Sequence, residues 1–252
     1  MAQATADEPL SRRERARAET FAEIKRTARR VLVHSGGEGL ALRAVAREMG
    51  MTAPGLYRYF ASREELVEHV VADLYDELCN GLEAARDAAR PAVPGVQLLA
   101  VSREFRRWAI THVPEFGLLF GSAGDDVPSE GGAVEGPAAV AGQRFAAVFG
   151  LLVAQIWLDR RFPVPEEEEI DPALRAQLRE WGAHVPVELP LGVLRVFLSC
   201  WVRLYGLVCM EIFGHLKFAL TDAESLFEDE LRQLGDLLGI PDHYVAASGG
   251  PT

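Results

Sequence analysis

Apolar residues recur at three- and four-residue steps along almost the whole chain, and no segment alternates with the two-residue period of a half-buried strand. That pattern restricts the protein to the all-α class. The first helix is expected over residues 13–34, with Phe21, Ile24, Ala28, Val31 and Ser35 on one stripe and Arg17, Lys25, Arg26, Arg29 and Arg30 off it. Gly36-Gly37 ends it. A second, short apolar face of Leu42, Val45, Ala46 and Met49 stops at Gly50. Thr52 is the expected N-cap of a third helix reaching about Tyr59, with Pro54 tolerated in its first turn. Ser62 and Glu65 have capping-box spacing and open a long fourth helix that buries Leu66, Val67, Val70, Val71, Leu74 and Leu78.

Pro91 and Pro94 interrupt the pattern, after which residues 96–111 and 115–120 read as helices on either side of His112-Val113-Pro114. Residues 121–136 hold five glycines and no apolar period, and are read as a mobile loop. Residues 138–160 are helical, with Phe145, Val148, Phe149, Leu152, Ile156 and Trp157 facing the core. An exposed connection carrying four consecutive glutamates follows over 163–171, then a short helix over 172–181. Residues 190–218 are apolar on most sides, so more than one surface must cover them. Asp222 caps a last helix with a stripe of Leu226, Leu231, Leu234, Leu237 and Leu238, ending at Gly239 and Pro241.

At 252 residues, with 49% hydrophobic and 25% charged residues, the chain is large enough for one or two domains with real cores. The first twenty residues lack the apolar stretch of a secretory signal, and no run of about 18 uncharged apolar residues is present. Cys79, Cys200 and Cys209 form no CxxC pair and no even framework. These features predict a cytoplasmic protein without a membrane span or a disulfide scaffold. The net charge of −11 argues against a nucleic-acid partner until its distribution is read. Residues 11–60 carry eleven Arg/Lys against five Asp/Glu, whereas residues 61–252 carry fifteen against thirty. A basic N-terminal module therefore stands on an acidic body, and phosphate attraction depends on the contacting face.

Residues 42–60 (LRAVAREMGMTAPGLYRYF) describe two short helices joined by a glycine turn, which cannot bury their apolar faces alone. Packed on the first helix and the start of the fourth, they make a helix-turn-helix, with residues 52–59 offered to a major groove. Residues 21–70 resemble the TetR family of transcriptional regulators: Ala44-Val45-Ala46, then Leu56-Tyr57-Arg58-Tyr59-Phe60, then Ser62-Arg63-Glu64-Glu65-Leu66. The resemblance implies a homodimer whose N-terminal domains each read one half of a roughly palindromic operator in double-stranded DNA. It assigns DNA contacts to Arg43, Thr52, Ala53, Gly55, Tyr57, Arg58, Tyr59 and Arg63. Tyr57, Tyr59 and the Thr52 hydroxyl match phosphate-contacting positions, and Arg63 stands at a helix N-terminus that favours an anion. Ala53, Pro54 and Gly55 depart from the family, which commonly carries a lysine or hydroxyl residue there. Base readout then falls on Arg43 and Arg58, with Ala53 against a thymine methyl and DNA shape contributing more than usual. Leu56 and Phe60 are core positions. Arg12, Arg13, Arg15 and Arg17 form either an arm along the DNA backbone or a solvated tail.

The C-terminal half resembles the ligand-domain type named for a Trp-x-x-x-His-Gly pattern, with Tyr205 of Trp201-Val202-Arg203-Leu204-Tyr205-Gly206 in place of the histidine. This implies a division into a DNA-binding domain (1–65) and an effector-binding and dimerisation domain (66–252). Residues 190–218 and 222–238 would form a four-helix bundle with a second copy. Phe105, Trp108, Phe149, Trp157, Trp201, Arg203, Tyr205 and Glu211 are the expected lining of a pocket for a small apolar effector. The six histidines are scattered, with no HExxH, GxSxG or Walker sequence, so neither an enzyme nor a metal or cofactor site is expected. The reading is a nucleoid-associated repressor released by its effector. The rival is a helical scaffold that has lost DNA binding, because residues 53–55 offer so little to a base.

Overall fold

The computed structural model describes residues 11–35, 42–121, 136–185 and 187–244. These form ten α-helices, with no strand among the described residues. In order they are α1 (Arg12–Ser35), α2 (Leu42–Glu48), α3 (Ala53–Leu56), α4 (Arg63–Ala88), α5 (Pro94–Thr111), α6 (Val113–Phe116), α7 (Pro137–Arg160), α8 (Pro172–Gly182), α9 (Leu191–Ile212) and α10 (Glu224–Leu237). A π-helical turn, Gly117–Gly121, continues α6. The glycine stop at residues 36–37 and most of the 121–136 loop lie outside the described residues.

The 26-residue α4 is the axis of the molecule. It packs against α1 at its start and against α5 and α7 along its length, burying Leu66, Val70, Leu74, Leu78 and Leu82 completely. Arg144 on α7 fixes that contact by donating to Glu83, Asn80 and Asp76 on α4, at 2.7–3.1 Å. The far side of the core is closed by α9, which lies on α5, α7, α8 and α10.

Several helix ends differ from the sequence reading. Helix α1 begins at Arg12 because Ser11 and Glu14 form a reciprocal capping box, at 2.8 and 3.3 Å. Arg12, Arg13, Arg15 and Arg17 are therefore exposed residues of a helix and not of an irregular tail. Helix α3 has only four helical residues, and 57–59 are turn. The expected 115–120 helix divides into α6 and the π-helical turn. Helix α9 stops at Ile212, well short of residue 218. Gly214, with φ of 74°, takes the left-handed conformation and lets His215 N and Gly214 N donate to the carbonyls of Met210 and Glu211, which closes the helix. In α10 the buried stripe is Phe227, Leu231, Leu234 and Leu238, and Leu226 stands 41% exposed. The adjacent Leu226 and Phe227 made the phase ambiguous, and the larger ring went inward.

Candidate nucleic-acid interface

The N-terminal head is built on a small aromatic core. Phe21 of α1 stacks on Phe60 at 4.5 Å, and His69 of α4 meets both rings edge-on. Ile24, Ala28, Val45, Leu56 and Leu66 complete it and are fully buried. After α2 the chain turns at Gly50, whose φ of 65° reverses it within one residue, while Met51 N donates to Ala46 O at 2.8 Å. Thr52 then caps α3, its hydroxyl oxygen accepting from Gly55 N at 3.2 Å. With the oxygen engaged as acceptor, the Thr52 O–H remains available to donate outward. Gly55 is buried, and a Cβ there would press on Thr52 Oγ1 at 3.1 Å, so this residue serves the turn and not an outer surface.

The basic charge of the head divides into two sets. Lys25 pairs with Asp73 at 2.6 Å, Arg30 with Glu48 at 2.9 Å, and Arg29 with Glu77 and Glu115 at 2.6 and 3.0 Å. These three cations hold α1 to α2, α4 and α6. Arg43 and Arg58 are exposed and make no ion pair among the described residues, and the same holds for Arg26 and Arg47, which the sequence reading did not place at a site. Tyr57 is 52% exposed, Tyr59 is half-buried against the core, and neither hydroxyl has a partner among the described residues. Pro54 is exposed beside the partly buried Ala53, leaving a small apolar tip on α3.

Arg63 sits where α4 begins, 3.7 Å from Glu64. That helix end is largely satisfied by its own side chains. Ser62 Oγ accepts from Glu65 N at 3.1 Å, and the Glu65 carboxylate accepts from Ala61 N at 2.5 Å instead of closing the box on Ser62. Hydrogen bonding to its own backbone holds the Glu64 carboxyl below the usual carboxylate range. An arriving phosphate would meet Arg63 in competition with two acids.

The residues expected around an effector fall into three groups. Phe105, Phe149, Trp201 and Tyr205 come together with Phe116, Phe120 and Phe145 in one aromatic cluster, with ring centroids 4.8–6.1 Å apart. Tyr205 donates to the Phe120 carbonyl in the π-helical turn, at 3.2 Å. Trp108 and Trp157 lie apart from it: Trp108 stacks on His112 and reaches Glu77 at 3.4 Å, and Trp157 packs on Phe162. The two charged residues serve helix pairing. Glu211 accepts from Nε and Nη2 of Arg106 on α5, at 2.8 and 2.7 Å, and Arg203 joins Glu230 and Gln233 on α10.

Sequence reading did not reach the junction between head and body. There Arg29 forks between Glu77 of α4 and Glu115 of α6, with His112 Nε2 3.4 Å from Glu77. Burial pushes the Glu77 carboxyl up, but the Arg29 bonds and charge outweigh it and hold it below its ordinary value. The only sequence signal was Arg29 standing off the apolar stripe of α1. Burial also pushes the thiols of Cys79 and Cys200 up to about 12, so neither is a thiolate nucleophile.

A three-helix head with a glycine-turned third helix and uncommitted arginines and tyrosines around it defines a helix-turn-helix DNA-binding protein. Residues 24–70 match the family described as bacterial regulatory proteins, tetR family, and residues 98–234 match the tetracyclin repressor-like C-terminal domain. HTH-type transcriptional regulators of Mycobacterium bovis and Mycobacterium tuberculosis are each 30% identical over 235 residues, covering 89% of this chain and 94% of theirs. The crystal structure of SCO4313, a protein named as regulatory, superposes with a TM-score of 0.65 at 30% identity, covering 89% of this chain and 98% of that one. A protein from Shewanella sp. PV-4, named as a TetR family transcription regulator, shares the fold at 16% identity with a TM-score of 0.50, covering 86% and 95%. The chain belongs to the TetR family and is a DNA-binding transcriptional regulator, not an enzyme.

Proposed function

We propose that this regulator is a homodimeric repressor that leaves a roughly palindromic operator when a small apolar effector enters its body. The head is residues 1–65 and the body 66–252, with α4 starting in one and running through the other. At the operator, Arg43 and Arg58 read base edges, and the apolar tip of Ala53 and Pro54 favours a thymine methyl. Tyr57, Tyr59, Thr52 and Arg63 hold phosphates and fix the register. The exposure of Arg43 and Arg58, neither of which makes an ion pair among the described residues, supports this division of labour.

The dimer reading rests on α9. This helix and α7 are each long and apolar enough to cross a membrane, yet only 28% of the most apolar window of α9 is buried within one chain, against 44% for α7. Val202, Met210 and Phe213 remain 60%, 43% and 43% exposed along it, and Leu226 of α10 stands exposed nearby in sequence. A second copy supplying the same face, as a four-helix bundle of α9 and α10, covers them. Arg195, Arg203 and Glu211 on α9 fit a protein-covered helix better than one in lipid.

The observation that carries the switch is the Arg29 fork. It ties α1 of the head to α6, and α6 continues into the π-helical turn whose Phe120 lines the aromatic cluster. An effector that parts these rings moves Phe116 and Phe120, and with them Glu115. Half-sites on successive major grooves lie about 34–36 Å apart, so a tilt of a few ångströms in each head breaks simultaneous docking. Such an effector acts only by binding the released form better than the docked one. The regulator works in the cytoplasm, on the nucleoid.

The test is selection of bound duplexes from a random pool, followed by anisotropy titration of the winner with and without apolar and aromatic candidate effectors. A two-fold symmetric site bound at ~10⁻⁸ M or tighter, about 10³-fold above a scrambled duplex, is expected. An asymmetric winner bound by a monomer, or an operator affinity unmoved by every compound, would overturn the dimeric and the effector-released parts respectively.

A further inference from the structure

A half-open cleft of about 370 Å³ lies where the C-terminal end of α4, the start of α5 and the later turns of α7 meet, lined by none of the aromatic-cluster residues. On the α7 side Val148 and Leu152 are buried and Leu151 is 41% exposed, and Gln155 and Pro91 complete the lining. Arg86 and Arg90 form its rim, and Gln97 stands on the α5 side.

The two arginines are only partly satisfied. Both lean on Asp87 through Nε, at 3.0 and 3.3 Å, and their terminal amino groups have no hydrogen-bond partner among the described residues. Glu83, one turn earlier on α4, is engaged by Arg144, at 2.7 and 2.9 Å. The Gln97 amide donates to Ala92 O at 2.7 Å, which fixes that wall. The Arg86 side chain is only 26% exposed, so its stem lies on protein while its fork stays short of acceptors. At the rim itself two guanidinium groups and the Asp87 carboxylate leave one positive charge beside Leu151, with the Glu83 carboxylate one turn away acting on Arg86 as well as on Arg144. That combination matches a ligand with one negative charge and a short apolar tail.

We propose that this cleft is a binding site for a medium-chain carboxylate, with the carboxylate held by Arg86 and Arg90 and the tail laid along Leu151 and Leu152. The volume stands at the small end of ligand pockets, about 300–1,000 Å³, which suits a short chain. A planar arginine fork suits a carboxylate, and adjacent apolar surface adds affinity that a bare anion lacks. The site is distinct from the aromatic cluster and does not depend on the effector reading above.

The test uses the full-length protein and octanoate, followed by isothermal titration and by chemical-shift changes of the leucine methyls. Saturable binding below about 1 mM is expected, within reach of a ligand of that size. The Arg86→Gln/Arg90→Gln double variant should bind about tenfold more weakly at unchanged melting temperature, and octan-1-ol and acetate should each bind wild type about tenfold more weakly. Leu151→Glu, which puts a negative charge on the floor, should abolish octanoate binding, and Trp201→Leu should leave it unchanged. Three results would overturn the proposal: no saturable binding of octanoate, equal binding of octan-1-ol, or binding lost in Trp201→Leu and kept in the double arginine variant. The last would assign octanoate to the aromatic cluster and leave the effector reading standing.

Discussion

The junction between head and body makes a quantitative prediction. Arg29 presents Nε and Nη2 to one oxygen of Glu115, at 3.2 and 3.0 Å, and Nη1 to Glu77 at 2.6 Å. The Glu115 side chain is 13% exposed, that of Arg29 30% and that of Glu77 40%. Hydrogen bonds to charged groups contribute about 1.5–3 kcal/mol when shielded, whereas exposed ion pairs contribute about 0–1 kcal/mol. Arg29→Met keeps the stem but strands a nearly buried carboxylate, so it should cost about 2–3 kcal/mol. Glu115→Gln keeps the shape and loses the charge, at about 1 kcal/mol. With Arg29 already gone, losing the Glu115 charge removes a penalty, so the double variant should be no less stable than Arg29→Met alone. The coupling is then about 1 kcal/mol. Urea unfolding of the four proteins at one fixed protein concentration measures it, and the same cycle run on operator affinity asks whether the fork transmits the switch. Additivity within about 0.3 kcal/mol in both assays would refute the reasoning, because α1 and α6 would then be energetically independent. The fork also has a pH signature. A carboxyl held below its ordinary value contributes stability that is present at neutral pH. That contribution is lost as the pH falls below 4.5 and through the lowered value of Glu77. Arg29→Met should flatten that loss.

The remaining predictions concern the head, the dimer and the C-terminal turn. Arg58→Ala should relax base preference at one operator position by about 1–3 kcal/mol, while Arg63→Ala should weaken all sequences alike and lower the salt slope by about 1; competition titrations at two salt concentrations separate them. Val202→Asp, on the bare face of α9, should turn the dimer into a monomer in sedimentation while leaving the helical circular dichroism intact, and a persistent dimer would move the interface elsewhere. His243, nine-tenths buried beside Arg160 and Asp242, is held below its ordinary value of 6.5, first by burial and then by the Arg160 charge, with Asp242 opposing. The unfolded chain therefore takes up that proton first, so stability should fall as the pH drops from about 7 through 6.5 and below, a trend that His243→Phe should remove in thermal melts. Gly95→Ala should loosen the same turn at every pH by about 1–3 kcal/mol, because its Cβ would overlap His243 Nδ1 and lie 2.9 Å from Ile240 Cδ1.

What could be read from the sequence follows from the range of each interaction. Thr52 caps α3 through a bond to Gly55, and Ser62 caps α4 through a bond to Glu65, each three residues away, so the pattern sits within a few letters. The buried faces of α4 and α7 follow from a fixed period. The pairs that shape the site are of another kind: Arg29 with Glu115 spans 86 residues, Arg106 with Glu211 spans 105, and Arg103 with Glu228 spans 125. Nothing in the local spelling of Glu211 distinguishes a pocket residue from a partner of Arg106, since both demand a charge on an apolar helix. The same holds for the eleven bases of the N-terminal module. The uneven distribution of charge predicted a DNA-facing surface, yet Lys25, Arg29 and Arg30 are turned to carboxylates on other helices, which leaves for it the arginines that pair with no acid among the described residues. On the proposed assignment of DNA contacts, the acids of α2, α4 and α6 therefore shape the interface as much as its own bases do. Glu48→Gln or Asp73→Asn would release Arg30 or Lys25 toward DNA, raising nonspecific affinity and its salt dependence without touching any residue proposed to face the groove, whereas Glu77→Gln leaves Arg29 held by Glu115.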